Sequence, residues 1–130
     1  MTKKHFVKTV EELGERGKVR GWANEAIERL KQGETVQIRP RGNSMSGLIE
    51  DNELVTVKPI SPNMELKVGD IVLVKVKGRV FLHLIKAKLG VNYYQIGNNR
   101  GGINGLATRK FIYGKAVNIS EGITIRSLAS

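Results

Sequence analysis

Two hydrophobic periods divide the chain. Up to residue 33 the apolar positions recur three or four apart, and from residue 35 onward they alternate. In the first stretch Trp22, Ala23, Ala26, Ile27 and Leu30 share one helical face, Glu and Arg fill the other, and Gly33 follows as a stop. This spacing predicts an amphipathic helix packed on a sheet, with Trp22 in the core. Upstream, Thr9-Val10-Glu11-Glu12 fits a capping box, and Gly14 and Gly17 keep that earlier helix short. The second stretch reads as about seven short strands, at residues 35–39, 54–57, 71–76, 80–85, 93–96, 111–117 and 123–125. Lys77-Gly78-Arg79 predicts a hairpin between the third and fourth. Residues 97–105 hold four Gly and three Asn, a loop that either turns tightly or presents its backbone to something. The expected fold is mainly β, a bent sheet or partly open barrel with one or two N-terminal helices. A helical segment over residues 1–34 packs on a β domain over residues 35–130, as one structural domain.

Composition narrows the function classes. At 130 residues the chain is long enough for one real core, and with 5% aromatics that core is mostly aliphatic. No run approaches the ~18 apolar residues of a membrane span, and the first residues lack the pattern of a signal peptide. The expected compartment is the cytoplasm, away from the membrane. The absence of Cys excludes disulfides, thiolate ligands and cysteine nucleophiles, and two His argue against a zinc site. The net charge of +10 is uneven. Residues 1–60 hold 11 basic and 9 acidic groups, whereas residues 61–130 hold 11 and 3. A basic second half suits nucleic acid or an acidic peptide, or is simply a solvated surface.

Two segments carry candidate chemistry. The first is Arg39-Pro40-Arg41-Gly42-Asn43-Ser44-Met45-Ser46-Gly47, in the connection after the first strand. A Ser among small residues, with unpaired amides around it, is what a nucleophile with an oxyanion hole requires; such a Ser is also an ordinary turn residue. Arg39 and Arg41 beside it suit an acidic or C-terminal substrate group, and Arg100 in the Gly/Asn loop reads the same way. The second segment is Val68-Gly69-Asp70-Ile71-Val72, feeding an apolar strand, with His83 thirteen residues after Asp70. Alternation puts Phe81, His83 and Ile85 on one face and Val80, Leu82 and Leu84 on the other. A His in so apolar a strand needs a partner, whether its role is structural or catalytic.

In order and spacing these segments resemble the S24/S26 serine peptidase superfamily: the SOS- and phage-repressor autopeptidase domains, the mutagenesis-polymerase processing proteins and type I signal peptidases. The likeness covers roughly residues 35–120. Tyr94-Gln95-Ile96-Gly97-Asn98-Asn99 looks like the Gly-Asp-Asn box of that group, and Phe111-Ile112-Tyr113-Gly114-Lys115-Ala116-Val117 like its closing strand. The resemblance implies Ser44 as nucleophile and His83 at the base position. His83 replaces the Lys of bacterial members, as in the archaeal and endoplasmic-reticulum signal peptidases. Lys86 is the substitute base, although strand parity sets it opposite His83 unless a bulge intervenes.

A Ser–His pair normally has a third group that orients the imidazole. After Asp70 the only carboxylate is Glu121, and the position where Ser–His relatives carry Asp offers Asn98, Asn99 and Asn104. Either an Asn, with Asn104 preferred, orients His83, or Asp51 approaches from the first half, or the peptidase is a weakened or silent one. Asn43, Met45, Ser46 and Arg41 are candidates for oxyanion and substrate contacts. The implied activity is hydrolysis of a peptide bond in a partner protein, in trans, without metal or cofactor, and a phage or mobile-element origin fits the resemblance. Self-cleavage fits poorly, because 33 residues are too few for a helix-turn-helix domain and the Ala-Gly pair typical of such cleavage sites is absent. The rival expectation is an inactive fold kept as a binding module for nucleic acid or protein, with edge strands available for a homodimer.

Overall fold

The computed structural model describes residues 22–121 and 124–128. Helix α1 (Trp22–Lys31) is the helix that the apolar spacing predicts, and Ala26, Ile27 and Leu30 form its buried face. It closes in a Schellman motif: Gly33, at φ +86°, donates its N–H to the Leu30 carbonyl, and Glu34 donates to Arg29. The capping box at Thr9 and the side chain of Trp22 lie outside the described residues. No helix among the described residues is long and apolar enough to cross a membrane.

Eight strands follow: β1 (Val36–Ile38), β2 (Leu54–Pro59), β3 (Ile71–Val76), β4 (Arg79–Leu89), β5 (Tyr93–Gly97), β6 (Ile103–Thr108), β7 (Ile112–Glu121) and β8 (Thr124–Ser127). They form one antiparallel sheet in the order β1-β2-β7-β3-β4-β5-β6, with β8 paired to β7 off this path. A 3₁₀ turn, Arg109–Phe111, joins β6 to β7. The fold is therefore mainly β, a curled, partly open barrel, as the period of two implies.

Strand β7 ties the molecule together. It pairs with β2 along one edge and with β3 and then β8 along the other. Its registers slip opposite Thr56/Val57 and opposite Leu73/Val74. Each slip bends the sheet and increases its twist. The bent sheet has a core on each face. Ile71 and Leu73 pack toward α1, with Val36, Val55 and Ile119. Val72 and Val74 point the other way, into the curl, with Ile85, Tyr94 and Ile96. Burial on both faces explains why residues 71–74 are continuously apolar. Gly114 on β7 lies where α1 crosses the sheet. A Cβ there would meet Val57 Cγ1 at 2.6 Å and Leu30 Cδ1 at 3.0 Å.

The β3–β4 hairpin turns through Lys77 and Gly78, both at positive φ, the two-residue geometry that matches strand twist. One strand differs from expectation. Residues 103–108, read as loop and connection, form β6 and pair with β5 from Tyr93↔Thr108 to Gly97↔Ile103. Of its apolar side chains only Ala107 is buried, while Ile103 and Leu106 stand half in water. Backbone pairing makes this strand, so no hydrophobic alternation announces it.

Candidate active site

Ser44 sits in the β1–β2 connection, a loop fixed at both ends and in the middle. The Asn52 N–H donates to the Pro40 carbonyl at 2.8 Å, and the Gly42 N–H to Asp51 Oδ1 at 2.6 Å. Met45 and Ile49 drop into the core and are linked by Ile49 N–H to Met45 O at 2.8 Å. Sequence explains this local shape. Two apolar residues four apart make one helical turn, and the flanking Gly, Asn and Ser leave Ser44 half-exposed above it. The amides of Ser44 and Met45 donate to no acceptor among the described residues.

His83 is on β4, 8% exposed. Ser44 Oγ lies 3.1 Å from its Nε2, and Asn104 Oδ1 lies 2.7 Å from its Nδ1. A side-chain oxygen at Nδ1 fixes the tautomer: Nδ1–H donates to Asn104, and Nε2 keeps a lone pair for the Ser44 hydroxyl proton. Burial pushes the His83 pKa below its ordinary 6.5, and the Asn104 hydrogen bond opposes this only in part. Phe81, two residues back on the same face, stacks on the imidazole with centroids 4.9 Å apart and planes at 22°. Arg79 lies over the Phe81 ring, 5.6 Å from its centroid. The three side chains form a row at every second residue of β4.

The Gly/Asn loop joins the two halves of this site. Asn99 N–H donates to the Ser44 carbonyl at 2.9 Å, and Asn99 Nδ2 donates to the Ser46 carbonyl at 2.7 Å. Asn98 shapes the loop itself, its Oδ1 accepting from the Arg100 and Gly102 amides at 2.8 Å each. The Asn residues weighed as partners of His83 thus divide their work. Asn104 meets the imidazole, Asn99 holds the serine loop, and Asn98 folds the turn.

Asp51 binds the Gly42 amide and lies 3.7 Å from Arg41 Nε, so it buttresses the serine loop and is not the partner of His83. The β4–β5 register does slip between Ile85 and Ala87, the bulge that would free Lys86 to turn, yet Lys86 Nζ donates to the Asn98 carbonyl at 3.1 Å. The Ser46 amide donates to the Asn43 carbonyl and so is unavailable to an oxyanion. Asn43 is exposed, and Met45 lines the groove from the core side. Arg41 stands exposed at the groove rim, and Arg39 Nη1 donates to the Asn52 carbonyl. Strand parity sets Phe81 on the His83 face, but nothing in the sequence assigns it a place at the site.

Beside Ser44 and His83 runs a groove of about 340 Å³, walled by Ile38, Pro40, Ile49, Val80 and Leu82. A larger hollow of about 680 Å³, beside Tyr93 and Phe111, contains neither Ser44 nor His83. The Ser44 groove exposes one edge of β4. The Ile85 N–H donates to the Asp70 carbonyl, and the Ile85 carbonyl accepts from Gly69, so Ile85 turns its peptide groups toward β3. Alternation turns those of Val80 and Leu82 the other way. Pairing with β5 begins only at Leu84, so among the described residues no strand covers them.

Asp70 serves the frame. Its carboxylate accepts from the Lys67 amide at 2.8 Å and lies 3.4 Å from Lys115 Nζ, with both side chains almost fully buried. No family model matches the chain, and no curated protein matches it in sequence.

Proposed function

We propose that the protein is a serine peptidase of the S24/S26 kind, cleaving a partner protein with Ser44 as nucleophile, His83 as general base and Asn104 as the residue that positions His83. The observation that carries this reading is the chain of contacts from Ser44 Oγ to His83 Nε2 at 3.1 Å and from His83 Nδ1 to Asn104 Oδ1 at 2.7 Å. Substrate lies extended in the groove and adds a strand to the open edge of β4 at Val80 and Leu82. Ser44 Oγ attacks the scissile carbonyl as its proton passes to Nε2. The Ser44 and Met45 amides face the oxyanion. The imidazolium gives the proton to the leaving amine, and water, deprotonated by the same imidazole, then releases the acyl group. An amide at Nδ1 holds the tautomer as a carboxylate does but stabilises the imidazolium less, so a slow enzyme is expected.

That same Asn104 favours the second reading, a silent fold kept for binding. A serine-directed fluorophosphonate, followed by intact mass, separates the two. One adduct on the wild type, absent from Ser44→Ala and His83→Ala, supports the peptidase. No adduct between roughly pH 6 and 9, where a free imidazole is a competent base, supports the silent fold.

A further inference from the structure

On the outer surface, where β6 curls back toward the end of β3, two hollows of about 680 and 210 Å³ adjoin. Both are lined by Tyr93, Thr108 and Phe111. The Tyr93 and Phe111 side chains stand open, 49% and 38% exposed, two of only seven Phe, Tyr and Trp residues in a chain whose core is mostly aliphatic. Lys75 and Lys77 form one bank of the smaller hollow. Lys110 lines the larger one, its Nζ 5.4 Å from the centre of the Phe111 ring. None of these three lysines makes an ion pair among the described residues. No acidic residue lines either hollow, and residues 71–120 hold nine Lys or Arg with no Asp or Glu.

We infer that this surface binds single-stranded nucleic acid, independently of the chemistry at Ser44, with which it shares no residue. The charge asks for a polyanion, and the two open rings select among polyanions. Bases carry π faces that stack on Tyr93 and Phe111 while phosphates meet the lysines. An acidic peptide would use the lysines and leave the rings idle. A duplex hides its base faces in the stack, and a membrane surface is too flat to enter a hollow.

The test is fluorescence anisotropy of a labelled oligothymidylate of about 12 nucleotides, within the usual range for such grooves, titrated with the full chain at several salt concentrations. Tyr93→Ala is expected to weaken binding about tenfold, the low end of one lost stack, and Tyr93→Phe to restore it. Lys75→Gln with Lys77→Gln should weaken binding and flatten the salt dependence, by about 0.7 in slope per lost phosphate contact. Lys58→Gln, on β2 and outside both hollows, is the single-charge control and should leave the affinity for the oligomer unchanged. Tyr93 and the lysines are surface residues, so thermal melts of these variants should match the wild type. The inference is overturned if Tyr93→Ala binds as the wild type does, if duplex of the same sequence binds as tightly, if anionic phospholipid vesicles or polyglutamate compete more strongly than unlabelled oligomer, or if no binding occurs at low salt.

Discussion

A neutral imidazole is the form that can take the Ser44 proton, so burial of His83 helps the proposed chemistry. The lowered pKa keeps His83 neutral to a lower pH than a free imidazole. The rate of Ser44 phosphonylation by the fluorophosphonate should rise with pH to a plateau, with its midpoint below 6.5. Stability carries the opposite face of the same shift. The unfolded chain binds the His83 proton first, so this contribution is intact above pH 6.5 and is lost as pH falls from there through the folded pKa; in denaturant melts the wild type should lose stability relative to His83→Gln as pH falls through that window. Asn104→Asp places a negative charge at Nδ1, which favours the imidazolium. It should raise the midpoint and speed phosphonylation, whereas Asn104→Ala should slow it about 10–100-fold by releasing the tautomer. A midpoint that stays fixed in Asn104→Asp would remove Asn104 from the mechanism. The residue scale was also where sequence said most. The resemblance to the S24/S26 group implies Ser44 and His83, and it leaves Asn98, Asn99 and Asn104 at the position where Ser–His relatives carry Asp, with Asn104 preferred. What Asn99 does was hidden, because its partners are the carbonyls of residues 44 and 46, more than fifty positions away.

Among the elements, β3 and β7 are joined by more than their ladder. The Asp70–Lys115 pair lies between them with both side chains buried. Removing one partner leaves a buried charge, so Lys115→Met should destabilise the fold by about 3–5 kcal/mol, while Asp70→Asn with Lys115→Met should recover much of that. Urea melts of Lys115→Met, Asp70→Asn and the double variant give the comparison, and a double-variant loss equal to the sum of the two single losses would show that the pair is not coupled. Gly114→Ala tests the seat of α1. Its Cβ has no room against Val57 and Leu30, and a loss of about 1–3 kcal/mol is expected from overpacking, read from the same melts. Sequence placed α1, β3 and the β3–β4 hairpin because period, capping and turn chemistry agree there. It missed β6 because Ile103 and Leu106 face water and Gly and Asn occupy the strand. Only the partner strand reveals it.

For the whole molecule, the curl of the sheet brings the two ends of the chain's β region to one place. Ser44 lies just after β1, the first strand in the sheet order, and Asn104 lies on β6, the last. No local pattern could have foretold that meeting, since it depends on the bulges of β7 and on the β5–β6 hairpin swinging its loop over the serine. The Asn99 clasp has a consequence during synthesis. A ribosome that has released residues up to about 90 has delivered both Ser44 and His83, but neither Asn99 nor Asn104. The unfinished chain therefore lacks the two groups that hold the serine loop and fix the imidazole. On the proposed function, a nascent peptidase is harmless to its own exposed segments until its β5–β6 hairpin closes, and the order of its residues along the gene serves as a safety catch.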